Sequence, residues 1–330
     1  MTLLQIQDLS LDYNSHRGTV HALDRVNLSL SAGQVLGIVG ESGCGKTSLA
    51  RALTGVLPSN ARVIGGRILW QGTDLLSLPD SEHRQRRWRD FAFVPQSAMN
   101  ALNPVQRVQT QLLEVLEQRE QCSSEQAHLR LIELFDQVGI DRKRLADYPH
   151  QFSGGMRQRI SIAMALALKP QLLIADEPVT ALDVIVQRQI LDLIVSLQHD
   201  LGLSMIMVTH DVSVVAYLCD SVLVMYAGQV VEHGPADQVL EQPLHPYTMG
   251  LTRAFPDIQQ DVHTLRPIEG SPPDLRMPPA GCRFAPRCPF VLEKCHRDPP
   301  ELATTAPSQR HVACWRADEA QVLRRQWSAA

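Results

Sequence analysis

The stretch Val35-Leu-Gly-Ile-Val-Gly40-Glu-Ser-Gly43-Cys-Gly45-Lys46-Thr47 decides the fold. Val35–Val39 is a short, continuously apolar run, as expected of a strand buried on both faces. It leads into the pattern G-x4-GK[ST], and residues 47–57 then carry Leu49, Leu53 and Leu57 at helical spacing. A strand, a glycine-rich turn and a helix in this order make a phosphate cradle. Backbone N–H groups must point inward at phosphate oxygens, in conformations that a side chain would hinder. Lys46 offers its charge to the β- and γ-phosphates, the Thr47 hydroxyl is placed to ligate Mg2+, and the helix presents its positive end to the anion. The candidate nucleotide contacts are Gly40, Glu41, Ser42, Gly43, Cys44, Gly45, Lys46, Thr47 and Ser48.

A second element matches the first. Leu172-Leu-Ile-Ala-Asp176-Glu177 is an apolar strand ending in two carboxylates. Asp176 is the candidate Mg2+ ligand, and Glu177 the candidate general base for an attacking water. Such a strand end alone is more often a chain leaving the core. Beside the phosphate cradle it implies an Mg2+-dependent nucleoside triphosphatase.

Outward from these motifs, the spacing of Leu4, Ile6 and Leu9, and of Val26, Leu28 and Leu30, predicts half-buried strands. Residues 65–72 read as another strand closed by a turn. From about 78 to 152 charged, helix-favouring residues dominate, which predicts a mostly helical insertion, bounded at about 97–155 as a unit. The core pattern returns with a helix at 156–168, a buried strand at 172–175, an amphipathic helix at 184–199 and a strand at 204–209. Alternating strands and helices predict an α/β fold with a largely parallel sheet and an N-terminal antiparallel part. Past about 240 prolines become frequent (Pro243, Pro246, Pro256, Pro267, Pro272, Pro273), so residues 1–240 are expected as the ATPase domain and 241–330 as a loop-rich C-terminal extension.

The bulk numbers remove some classes. With 31 basic and 35 acidic residues among 330, no basic excess points to nucleic acid. No run reaches the roughly 18–20 apolar residues of a spanning helix, and the start MTLLQIQDL lacks the features of a signal peptide. A cytosolic setting is the expectation, and with it free thiols rather than disulfides among the seven cysteines. Cys122 and Cys219 read as ordinary singletons. Cys282, Cys288, Cys295 and Cys314 cluster as C-x5-C-x6-C-x18-C, a set able to hold Zn2+ or an iron–sulfur cluster.

Phe152-Ser153-Gly154-Gly155-Met156-Arg-Gln-Arg159 is a second small-residue turn opening a helix, hence a second anion cradle in one chain. It resembles the signature motif of ABC ATPases, which implies a head-to-tail dimer with ATP sandwiched between one subunit's phosphate loop and the other's Ser153, Gly154 and Gly155. Further positions resemble the family's in the expected order. Gln96, after Phe91–Val94, is similar to the Q-loop glutamine near Mg2+ and water. Ala181-Leu182-Asp183 resembles the D-loop, and His210 the switch histidine on the γ-phosphate. Tyr13 stands where the family stacks an aromatic on adenine, although core packing explains a lone tyrosine equally well. Pro95, where an aromatic is commoner, and Cys44, where serine is commoner, depart from the family without removing a catalytic group. A thiol reagent at Cys44 is expected to block nucleotide binding.

His245-Pro-Tyr-Thr248, Ala101-Leu-Asn-Pro104 and Gly281-Cys-Arg-Phe-Ala-Pro286-Arg-Cys288-Pro289 resemble the oligopeptide/dipeptide/nickel importer ATPases. That resemblance implies a peripheral subunit at the cytoplasmic face of the plasma membrane. It implies a second, related ATPase subunit, two permease subunits and an external solute-binding protein. It also implies a [4Fe–4S] cluster on the four cysteines, with Zn2+ as the alternative. The cargo stays open among dipeptides, longer peptides, nickel chelates and glutathione. Rival readings are a soluble ABC-type ATPase without a transport role, an exporter subunit, and an iron–sulfur module with vestigial ATPase sites.

Overall fold

The computed structural model describes residues 2–96, 98, 101–120, 123–253, 268–305 and 310–329. Cys122, Pro256 and Pro267 lie outside the described residues. The strands are β1 (Thr2–Ser15), β2 (Gly18–Ser31), β3 (Val35–Val39), β4 (Ala61–Trp70), β5 (Thr73–Asp74), β6 (Phe91–Val94), β7 (Leu172–Asp176), β8 (Ser204–Val208), β9 (Ser221–Tyr226), β10 (Gln229–Pro235), β11 (Ala303–Thr305) and β12 (Arg310–Val312). The helices are α1 (Lys46–Thr54), α2 (Asp80–Arg86), α3 (Val108–Glu120), α4 (Ser124–Gln137), α5 (Gly154–Ala165), α6 (Val184–Leu201), α7 (Val212–Leu218), α8 (Ala236–Glu241), α9 (Pro246–Arg253) and α10 (Ala320–Ala329). The chain divides into two compact units. One holds Met1–Ser31, Val35–Ser77 and Val208–Ala330; the other holds Ala32–Gln34 and Leu78–Met207.

In the first unit an antiparallel sheet runs β2-β1-β4-β5. The alternation of β1 slips phase between Ile6 and Leu9. There the register shifts and Asp8 takes φ 47°, so both Ile6 and Leu9 stay buried. A second set of strands is ordered β3-β9-β10-β12-β11, with β3 and β9 parallel and the rest antiparallel. The core between its helices and strands gathers Val39, Val224, Tyr226, Tyr247, Leu251 and Phe284. Residues from before and after 240 thus share one apolar cluster.

In the second unit β6 and β7 pair in parallel, Val94 opposite Ala175, and β8 follows β7. α3, α4 and α5 supply buried Leu112, Leu116, Leu131, Leu134, Phe135 and Ile160. α4 starts at a capping box, with Ser123 accepting from Gln126 N–H and the Gln126 side chain accepting from Ser123 N–H. Buried Arg130 donates to the Leu166 and Ala167 carbonyls, which satisfies the C-terminal end of α5. Among the described residues no helix is long and apolar enough to cross a membrane.

Candidate active site

In the first unit the apolar strand β3 runs straight into the phosphate loop, and α1 opens at Lys46. Gly40 has φ 152°, and a Cβ there would lie 2.2 Å from the Met225 carbonyl oxygen. Only glycine lets the loop approach the end of β9 so closely. Lys46 is buried inside the loop, its ammonium donating to the Gly40 carbonyl at 2.7 Å and the Glu41 carbonyl at 3.1 Å. The charge is therefore wrapped in the cradle and faces backbone oxygens that a phosphate can replace. Tyr13 lies at the edge of β1, its hydroxyl donating to Ser48 Oγ at 3.2 Å, so the ring is tied to the start of α1. Ser42 and Gly43 are exposed at the tip, and Thr47 and Ser48 are half-buried in the first turn.

Cys44 departs from the reactive thiol expected of it. It is 4% exposed, and burial pushes its pKa up despite the nearby Lys46. The thiolate is the reactive form, so this position is shielded from thiol reagents on both counts.

His210 is exposed on a stiff turn. Buried Thr209 donates its N–H to Ile38 O, its hydroxyl oxygen accepts from Asp211 N–H, and the Asp211 carboxylate caps α7 through Ser213 N–H. The histidine is thus presented from between two anchored residues.

In the second unit, β7 carries Asp176, buried at its C-terminal end. Glu177 follows with φ 49°, a left-handed conformation uncommon for a residue with a Cβ. Its carboxylate accepts from Gln96 Nε2 at 3.1 Å and from Thr180 Oγ1 at 3.0 Å. Strained backbone and two donors fix the orientation of a half-buried carboxylate, as a positioned base requires. Gln96 and Glu177 are 81 residues apart, and their pairing could not be read from either motif alone.

Ser153 is the N-cap of α5, its Oγ accepting from Met156 N–H, which leaves its hydroxyl proton for another acceptor. Gly154 and Gly155 form the first turn. A Cβ on Gly155 would sit 2.5 Å from Val186 Cγ1, so α5 and the start of α6 meet there without room for a side chain. Asp183 is the N-cap of α6, accepting from Val186 N–H. Gln187 donates to the Val179 and Leu182 carbonyls and braces the turn between β7 and α6, where Ala181 has φ 67°. Neither Thr180 nor Gln187 was singled out by sequence reasoning, because a lone polar side chain carries no motif.

The four late cysteines line one cavity, with Phe284 and Phe290 among its walls. None is in a disulfide. Backbone N–H groups point at three of the sulfurs: Phe284 and Ala285 at Cys282, Phe290 at Cys288, and Arg316 at Cys314. Burial pushes all three thiols up, Cys288 to about 12 and Cys314 to about 11, with further cysteines adding to the rise. Cysteine ligands bind metals as thiolates, a form that the amide donors favour and burial opposes. Among the described residues, however, no group of three or more His, Cys, Asp or Glu is placed so as to hold a metal ion.

A phosphate loop, a strand-end carboxylate pair and a signature-type helix start define an ATP-hydrolysing cassette of the P-loop class. The chain belongs to the oligopeptide/dipeptide family of ABC-transporter ATP-binding subunits. A family described as "ABC transporter" matches residues 23–180, and one described as "Oligopeptide/dipeptide transporter, C-terminal region" matches residues 231–295. The oligopeptide transport ATP-binding protein OppD of Escherichia coli is 47% identical over 300 residues, 90% of this chain and 89% of the relative. The dipeptide transport ATP-binding protein DppD of Bacillus subtilis is 44% identical over 321 residues, 96% of this chain and 95% of the relative. A dimeric post-hydrolysis ATP-binding cassette bound to ADP and Pi superposes with a TM-score of 0.63 at 25% identity, covering 71% of this chain and 98% of that one. The cbiO1 protein of Clostridium perfringens, part of an ABC transporter complex, gives 0.62 at 28% identity, covering 73% and 91%.

Proposed function

We propose that this chain drives import of peptides from the cytoplasmic face of the membrane, together with a second, related ATPase subunit, two permease subunits and an external solute-binding protein. The observation that carries the reading is the match at residues 231–295, together with relatives named for oligopeptide and dipeptide transport that align along 90% or more of the chain. Residues 1–240 form the ATPase domain in this reading, and 241–330 the importer-type extension. A facing ATPase subunit is supported by Val184 and Ile185, which follow Asp183 and are 79% and 72% exposed.

Each residue has a part in the cycle. Lys46 and the amides of residues 40–48 bind the phosphates, and Tyr13 stacks on adenine. Thr47, Asp176 and Gln96 present the hard oxygen donors that suit Mg2+, which when bound neutralises phosphate charge. Ser153, Gly154 and Gly155 close on the γ-phosphate of the facing subunit, and Asp183 holds the interface turn. Glu177 takes a proton from the attacking water, and His210 fixes the γ-phosphate.

The cavity of Cys282, Cys288, Cys295 and Cys314 is proposed to hold a [4Fe–4S] cluster, with Zn2+ as the alternative. Amide donors at the sulfurs support it, and such a cluster would cross-link a loop-rich region. Uptake of labelled di- and oligopeptides by cells carrying the wild-type chain or Glu177→Gln tests the transport reading. Loss of uptake in the variant supports it; undiminished uptake of every peptide tried contradicts it.

A further inference from the structure

The phosphate loop contains a carboxylate that the hydrolytic cycle does not use. Glu41 lies between Gly40 and Ser42, and its backbone carbonyl accepts from both Cys44 N–H and the Lys46 ammonium. An anionic side chain at this position raises the local negative charge just where a triphosphate must be held. The structure gives that charge a dedicated partner from the far end of the sequence. Arg287, 246 residues away, grips Glu41 bidentately, Nη1 to Oε2 at 2.6 Å and Nη2 to Oε1 at 2.9 Å.

The guanidinium is itself fixed. Its side chain is 4% exposed, Nη1 also donates to the Tyr226 hydroxyl at 3.2 Å, and Nε and Nη2 donate to the carbonyls of Glu269 and Ile268. A bidentate, buried fork of this kind is stronger and more directional than a surface ion pair. From the same side Tyr247, fully buried, accepts the Glu41 N–H on its hydroxyl at 2.8 Å. Three neighbouring contacts tie the C-terminal segment to the strands beside the loop. Arg283 donates to Ala227 O and pairs with Asp24, and Leu275 O accepts from His21 N–H.

We infer that Arg287 is a positioning residue for nucleotide binding. It neutralises Glu41 and holds the phosphate loop in its binding shape, without touching the nucleotide. The inference rests on the assignment of residues 40–47 as the nucleotide cradle. It makes the C-terminal segment a working part of that cradle.

The test is equilibrium ATP binding to the purified full-length chain, with Lys46→Ala as reference. Arg287→Ala is expected to weaken ATP about tenfold, which is about 1.4 kcal/mol. The decisive variant is the double substitution. If Arg287 acts by neutralising Glu41, Arg287→Lys, which keeps the charge without the fork, loses less than Arg287→Ala, and Arg287→Ala with Glu41→Gln recovers most of the loss. In steady state the same substitution should raise KM and leave kcat nearly unchanged. Wild-type affinity in Arg287→Ala, or a double variant as weak as Arg287→Ala alone, overturns the proposal. Should Arg287→Ala fail to fold, Arg287→Gln with and without Glu41→Gln makes the same comparison. Undiminished ATP binding by Lys46→Ala would instead remove the cradle assignment, and the proposal with it.

Discussion

Glu177, the proposed general base, is held in place by its backbone and by two side chains. Its left-handed backbone and its bonds from Gln96 and Thr180 cost conformational freedom that an ordinary loop would keep. Glu177→Gln should bind ATP with near wild-type affinity and lose at least about 100-fold in turnover. A hydrolysis assay beside a binding titration checks both. Cys44 leads to the opposite kind of prediction: its buried, protonated thiol should label much more slowly than a free cysteine at neutral pH, with or without ATP. Mass spectrometry of alkylated protein measures it. Lys46, Asp176, Glu177 and the loop glycines were legible in the sequence because their chemistry is local and their spacing fixed. The role of Thr180 is not, because a lone hydroxyl carries no motif, and the contacts of Tyr247 and Arg287 with Glu41 are not, because only folding brings those partners near.

Among the elements, three helix starts at or beside proposed site residues share one device. Ser153, Asp183 and Asp211 each cap a helix with a side-chain oxygen. A motif residue therefore has a structural duty worth about 1 kcal/mol besides any contact with nucleotide. Asp183→Asn keeps a capping oxygen and should unfold like the wild type, whereas Asp183→Ala should lower stability by about 1 kcal/mol in denaturant titrations. Sequence reading places helices at 47–57, 156–168 and 184–199 but runs the first two too far, because α1 ends where Gly55 turns left-handed and α5 ends where Arg130 takes the last carbonyls; it misses α7 to α10.

The entry to α9 and the strand β10 carry a pH dependence. His245 is buried, its Nδ1 accepts from Tyr247 N–H, and burial lowers its pKa to about 3. His233, stacked against His311, is lowered to about 4 by burial and by that neighbour. Both must stay neutral in the folded chain, so the unfolded chain binds more protons as pH falls below the usual histidine value. Stability should hold above about pH 6.5 and fall by up to about 1.4 kcal/mol per pH unit for each histidine between there and their folded values. Melting curves from pH 8 to 5 test this, and His245→Asn should flatten the slope.

On the scale of the whole molecule, the sequence order hides how the C-terminal segment is used. Composition marks residues past 240 as proline-rich and loop-like, yet Phe284 and Tyr247 enter the same apolar cluster as Val39 and Tyr226. β12 extends the strand set through β10, and the buried pair Arg310–Glu232 locks the two strands. Such contacts leave no periodic trace in the sequence, which is why local patterning was blind to them. The proposed cluster predicts that chain purified without oxygen carries iron and acid-labile sulfide, and that Cys288→Ser loses both and melts earlier. Zinc without sulfide would favour the alternative, and metal-free protein of unchanged stability would contradict both.

Whether this chain works in a membrane transporter is decided by capture of tagged Glu177→Gln chain with ATP from detergent-solubilised native membranes, with mass spectrometry of what comes with it. An importer subunit brings down two multi-spanning proteins and a second ATPase, held in an ATP-dependent complex. Recovery of soluble partners alone, with no membrane-spanning protein at any nucleotide concentration, would contradict the transporter reading.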